Sequence, residues 1–210
     1  MSAPGDRFEL PLFPLRAVLF PDGLLSLKVF EARYLDLAGT CLREKRPFGV
    51  VALRKGQEVR RSGQDEPGAV VLEDVGVMAE ILELDGAQPG ILQLRCRGLR
   101  RFRIERTRQR ADGLWIGEVE ILPDDEPIAP AEAVHETVRG LANAIASLKG
   151  KGVEPFEAPY RFDDAGWVAN RWCEILPIPL AAKQRLMELP DARVRLALVD
   201  EFLRGQGVVK

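Results

Sequence analysis

The chain has a single histidine, His135, and three cysteines, Cys41, Cys96 and Cys173. One imidazole excludes a multi-histidine metal site, and His135 sits in a stretch of helical periodicity with no cysteine or serine at a suggestive spacing. The cysteines are odd in number, far apart and free of any CxxC spacing, so they predict neither a zinc site nor a disulfide framework and read as small buried hydrophobes. Ser147 and Lys149 could be a nucleophile and its base only if they shared a face, and residues two apart on a helix do not. Gly150-Lys151 is followed by Gly152 and lacks the upstream glycine of a phosphate-cradling loop. No catalytic dyad or triad, metal site or cofactor site is therefore expected, and the chain reads as a binding module rather than an enzyme.

Two clusters could bind rather than react. Residues 95–110 hold eight arginines against one acid, and arginine forks suit phosphate, so Arg95, Arg97, Arg101 and Arg103 are candidate polyanion ligands in an RNA-binding alternative. Alternation argues against it. If Phe102 and Ile104 face inward with Val119 and Ile121, then Arg101 and Arg103 share the outer face with Glu118 and Glu120, where cross-strand pairing would quench the field. No aromatic is interleaved there to stack a base. The second cluster is aromatic: Phe13, Phe20, Phe30 and Tyr34 among Pro11, Pro14 and Pro21. Prolines limit strand pairing, so part of this segment should run extended with an unpaired edge that could accept an unfolded peptide. Phe20, Phe30, Tyr34 and Phe102, facing Trp167 and Trp172 from a second lobe, are the candidate peptide-binding residues.

The elements that must position these groups change period along the chain. With 210 residues, 46% of them hydrophobic, the chain can bury a sizeable core. Lys+Arg 30 against Asp+Glu 32 leaves a net charge of -2, which gives no global attraction to nucleic acid or anionic membrane. No apolar run is long enough to span a bilayer and no secretory signal is evident, so a cytoplasmic location is expected. The apolar period is two up to about residue 122 and close to 3.6 from about residue 128. This predicts an α+β chain: a β-rich lobe over 1–122 with one helix near 31–46, a Pro-rich linker over 123–131, and a helical bundle over 132–210. Within the first lobe, 54–68 reads as a surface loop, 75–84 and 91–97 as a hairpin whose turn lies in 85–90 with its Asp85-Gly86 and Pro89-Gly90 steps, and 99–110 with 114–122 as a second hairpin around Asp112-Gly113. Many short strands suggest a closed or nearly closed barrel.

Six elements in register carry a resemblance. They are the run Leu10-Pro11-Leu12-Phe13-Pro14-Leu15 continuing to Phe30, Glu31, Arg33 and Tyr34; RPFGVV at 46–51; Gly76 with Ala79-Glu80-Ile81; Asp85-Gly86; Gly98 with Arg101-Phe102-Arg103-Ile104; and Leu176-Pro177, Lys183-Gln184, Leu186-Met187-Glu188 and Arg195-Leu196. Together they resemble the N-terminal, substrate-recognition domain of Lon-type ATP-dependent proteases. Ser26 stands where that family often has proline. The resemblance implies a PUA-like β-barrel lobe followed by a C-terminal helical bundle. It further implies a non-catalytic protein-binding module, without ATPase or peptidase, whose partners are unfolded or hydrophobic protein segments or a partner protease.

Overall fold

A computed structural model describes residues 7–55 and 70–209. The chain forms two compact units, Met1–Pro21 with Leu25–Pro123, and Asp22–Leu24 with Asp124–Lys210. Most of the loop expected over 54–68 lies outside the described residues.

The first unit is built on strands β1 (Arg7–Leu15), β2 (Leu24–Val29), β3 (Phe48–Lys55), β4 (Val71–Leu72), β5 (Val75–Gln88), β6 (Ile91–Gln109) and β7 (Trp115–Ile121), with helix α1 (Ala32–Glu44) between β2 and β3. The sheet order is β1-β7-β6-β5-β3-β4, β2 pairs with β6, and β3 also pairs in parallel with β1. The sheet is therefore strongly curled, but it is not a closed barrel of all its strands, because β2 and β4 lie off the ring of pairings. Helix α1 ends where Lys45 turns left-handed and its N–H reaches the Cys41 carbonyl.

Three local expectations are corrected. The two strands expected over 91–97 and 99–110 are one strand, β6; of the two expected turn steps, Pro89-Gly90 forms the turn from β5, with Gly90 at φ +76, whereas Asp85-Gly86 lies inside β5. Gly98 does not break β6; it lets the strand pass against another segment, since a Cβ there would collide with the Phe20 carbonyl. The N-terminal segment is not an unpaired extended chain. β1 pairs over Arg7–Leu12 with β7 and over Leu12–Leu15 with β3. At Pro11 and at Pro14 the strand thus has one registered neighbour rather than two, which is where a residue without an N–H is tolerated. Arg101, expected on the outer face, is 5% exposed and donates to the Pro123 carbonyl at 3.1 Å. The β5–β6 register shifts between the pairs Val77↔Arg101 and Ala79↔Gly98, so simple alternation fails there.

The core of this unit gathers Leu10, Leu12, Val51, Met78, Phe102, Val119 and Ile121. Phe102 occupies space that only glycines leave: a Cβ on Gly49 or Gly76 would stand 2.8 or 2.5 Å from its Cζ.

The second unit has a short 3-10 turn (Glu132–Val134) and helices α2 (His135–Gly150), α3 (Ala165–Ile175), α4 (Leu180–Glu188) and α5 (Ala192–Gly205). Among the described residues no strand follows β7. Asp164 caps α3, accepting from Gly166 N and Trp167 N at 2.9 and 3.3 Å, and Asp191 caps α5, accepting from Arg193 N and Val194 N at 2.8 and 3.3 Å. Helix α3 is buried all round from Ala165 to Cys173, as a central helix must be. The Trp172 indole N–H donates to the Thr137 carbonyl at 3.0 Å and the Thr137 hydroxyl to Asp200 at 2.5 Å, which joins α3, α2 and α5 through polar contacts as well as packing.

Candidate functional site

The residues with reactive side chains are held in unreactive states. Cys41, Cys96 and Cys173 are buried, and desolvation pushes their thiols up to about 11, 12 and 12. Thiols held so far above neutrality supply almost no thiolate. Lys149 is bound to Glu154 at 3.5 Å and lies 4.9 Å from the Tyr160 ring centroid; Tyr160 and the Glu154 carboxylate raise its pKa, the opposite of what a general base beside Ser147 needs. Among the described residues no cluster of three His, Cys, Asp or Glu side chains could hold a metal ion, and no helix is long and apolar enough to cross a membrane.

Four of the eight arginines over 95–110 meet a carboxylate. Arg95 meets Glu83 at 2.7 Å, Arg97 meets Glu80 at 2.5 Å, Arg108 meets Glu9 at 3.0 Å and Arg110 meets Asp112 at 3.0 Å. These are not the pairs expected from alternation, which put Arg101 and Arg103 opposite Glu118 and Glu120. The acids of the observed pairs come chiefly from β5 and β1, because Glu118 registers with Arg106 rather than Arg101; only Arg103 stands opposite the expected Glu120. The observed pairs weaken the field a polyanion would feel at this face.

The aromatic candidates separate into core and surface. Phe20 and Phe102 have no exposed surface, and Tyr34, Trp167 and Trp172 are each 4% exposed. Tyr34 stacks on Phe13 with centroids 4.0 Å apart, and Trp167 packs among Phe156, Tyr160 and Phe162. These five are buried core residues. Phe30 alone presents surface, at 49% exposure.

The concave feature of the first unit lies elsewhere, in a groove of about 410 Å³ where β2, β6 and β5 run side by side. Leu27 and Leu94 are buried in it, whereas Leu84, the Cα partner of Leu94, is 43% exposed. Lys28, Asp85 and the Arg95–Glu83 pair accompany these apolar groups. Phe30 follows Lys28 by two residues. β2 pairs with β6 and with no other strand among the described residues. Apolar contact flanked by both signs of charge suits a stretch of polypeptide; it offers no reacting group and no net charge to attract a polyanion. Of the groove's lining residues, sequence reasoning named only Arg95 as a candidate, for a polyanion, and Phe30 is not among them. The available signal was Leu84 immediately before Asp85-Gly86, an apolar residue at what the sequence makes a strand end.

Comparison with known proteins shows the family. A family model described as the ATP-dependent protease La (LON) substrate-binding domain matches residues 9–205. Lon protease 2 of Myxococcus xanthus is 29% identical over 198 residues, covering 92% of this chain and 23% of that protein. Lon protease of Escherichia coli K12 is 25% identical over 210 residues, covering 96% of this chain and 25% of its own length. The chain thus spans about a quarter of the curated relatives it matches. Among solved structures, a Lon N-terminal domain protein from Xanthomonas campestris superposes with a TM-score of 0.72 at 31% identity, covering 91% of this chain and 96% of that one. The N-terminal domain of Mycobacterium avium complex Lon protease has a TM-score of 0.62 at 19% identity and supports the fold alone.

Proposed function

The chain belongs to the Lon substrate-binding domain family, and from that premise we propose that it is a non-catalytic module that binds exposed apolar segments of other proteins, unfolded clients or a segment of a partner protease. The observation that carries this reading is the match over residues 9–205 to a family described as a substrate-binding domain. The surface chemistry agrees with it. The described residues offer buried high-pKa thiols, an ion-paired lysine and paired arginines, whereas Leu84 and Phe30 present exposed apolar area. In this reading the groove of β2, β5 and β6 takes apolar side chains of an extended segment, and the flanking charges fix its backbone and polar groups.

The test is a pair of surface variants, Leu84→Asp and Phe30→Ser, titrated against a fluorescently labelled, permanently unfolded polypeptide. Both positions are exposed, so the thermal midpoint should hold while affinity falls. Unchanged affinity in both variants, with folding intact, removes this groove from the reading.

A further inference from the structure

Helix α5 carries an apolar stripe on its solvent side: Val194, Leu198 and Phe202 are 47%, 44% and 37% exposed. Steps of four residues put them on one row of the helix, about 12 Å long at 1.5 Å per residue. The opposite side of α5, with Ala192, Arg195, Leu196, Val199 and Leu203, is already buried in its own unit. The stripe is thus a second, separate apolar face, and three large apolar side chains repeated on one helix row are what a helix–helix contact uses.

We propose that this face packs against the same face of a second copy of the chain, the two α5 helices running antiparallel about a two-fold axis at Leu198. The charges beside the stripe fit that occupant. At 100° per residue Arg193 and Glu201 fall on the same flank of the row, with exposed Ala197 between them. A two-fold axis through Leu198 puts Leu198 against its own copy and Val194 against Phe202. It leaves the same flank of both helices on the same side, so Arg193 of one chain, about 7.5 Å before the axis, lies near Glu201 of the other, about 4.5 Å beyond it. The roughly 3 Å offset is within the reach of an arginine and a glutamate, and the symmetry makes the pair twice. Ala197, small and on the charged flank, allows the backbones to approach. One helix on each side buries less than the roughly 800 Å² per partner of a standard interface, so the dimer is weak and reversible, forming in the micromolar to millimolar range. The proposal is independent of the groove on the first unit.

Sedimentation velocity of the full chain over that concentration range tests it. The expected result is a concentration-dependent monomer–dimer equilibrium whose dissociation constant rises by about tenfold or more in Leu198→Asp, with the thermal midpoint unchanged because Leu198 is exposed. Arg193→Glu and Glu201→Arg should each weaken the dimer, and the double swap should restore it. A chain that stays monomeric at every concentration, as a face kept for a different protein would give, overturns the proposal. So does a dimer indifferent to Leu198→Asp, or a double swap that does not recover association.

Discussion

Arg195 and Asp125 face each other fork to fork, Nη1 to Oδ2 at 2.5 Å and Nη2 to Oδ1 at 3.2 Å, with the arginine 1% exposed. The same guanidinium donates to the Leu186 and Leu189 carbonyls and to Asn170 Oδ1, so one side chain ties α5 to α3, to the end of α4 and to the Pro-rich segment after β7. Bidentate geometry with further acceptors is the arrangement in which a buried charge is retained rather than merely tolerated.

Arg195→Met is therefore expected to destabilise the fold by about 3–5 kcal/mol, because Asp125 and two carbonyls lose their donor together. Arg195→Lys should recover only part, since an ammonium cannot make the fork. Urea unfolding of the three proteins checks both statements. A loss below about 1 kcal/mol for Arg195→Met would remove this residue from its central place.

Gly98 has a different kind of constraint. A Cβ there meets the Phe20 carbonyl, a backbone group that cannot swing aside. Gly98→Ala should lower stability by about 1–3 kcal/mol through overpacking. Phe102→Ala, which empties the space left by Gly49 and Gly76, should cost about 3–5 kcal/mol. Thermal melts separate these from surface effects.

Glu174 gives a pH signature. Burial pushes its carboxyl up to about 7, opposed by the Arg171 guanidinium, bound at 2.6 Å, and by Lys183; Asp22 raises it further. The folded chain holds this proton more tightly than the unfolded one, so the stability it contributes is present at low pH. It is lost as pH rises from about 4.5, its ordinary value, through about 7. Glu174→Gln should flatten that part of the profile and be relatively more stable at pH 8 than at pH 5. Denaturant midpoints of both proteins at the two pH values decide it; parallel profiles would contradict the assignment.

The exposed pairs of the arginine strand should matter little. Arg95→Ala and Arg97→Ala, whose side chains are 37% and 40% exposed, are each expected to cost no more than about 1 kcal/mol, and less in high salt. Losses well above that in chemical denaturation would mean the pairs do more than weaken the field at that face.

The order of strands then helices and the presence of helix α1 were legible because period-two and period-3.6 patterns are local signals. What failed was non-local. Pro11 and Pro14 argue against pairing until it is known that β1 changes neighbour at Leu12. Alternation puts Arg101 outside until the β5–β6 register shift is seen. Large aromatics such as Phe20 and Phe102 are equally suited to core and to peptide contact, and only the glycines at 49, 76 and 98, far away in sequence, decide for core. Arg195 and Leu196 were readable as part of a family pattern, but Asp125, placed in a linker, could not be matched to Arg195 across 70 residues. The groove escaped notice because its walls come from β2, β5 and β6, which are distant in the chain.

The central claim is that this domain recognises exposed apolar polypeptide and performs no chemistry on it. The most direct measurement is fluorescence anisotropy of one labelled polypeptide, prepared both permanently unfolded and native, titrated with the full chain. The account predicts saturable binding of the unfolded form with the label recovered intact, and no binding of the native form. Equal affinity for both forms, or no binding of the unfolded form at millimolar concentration, would contradict it.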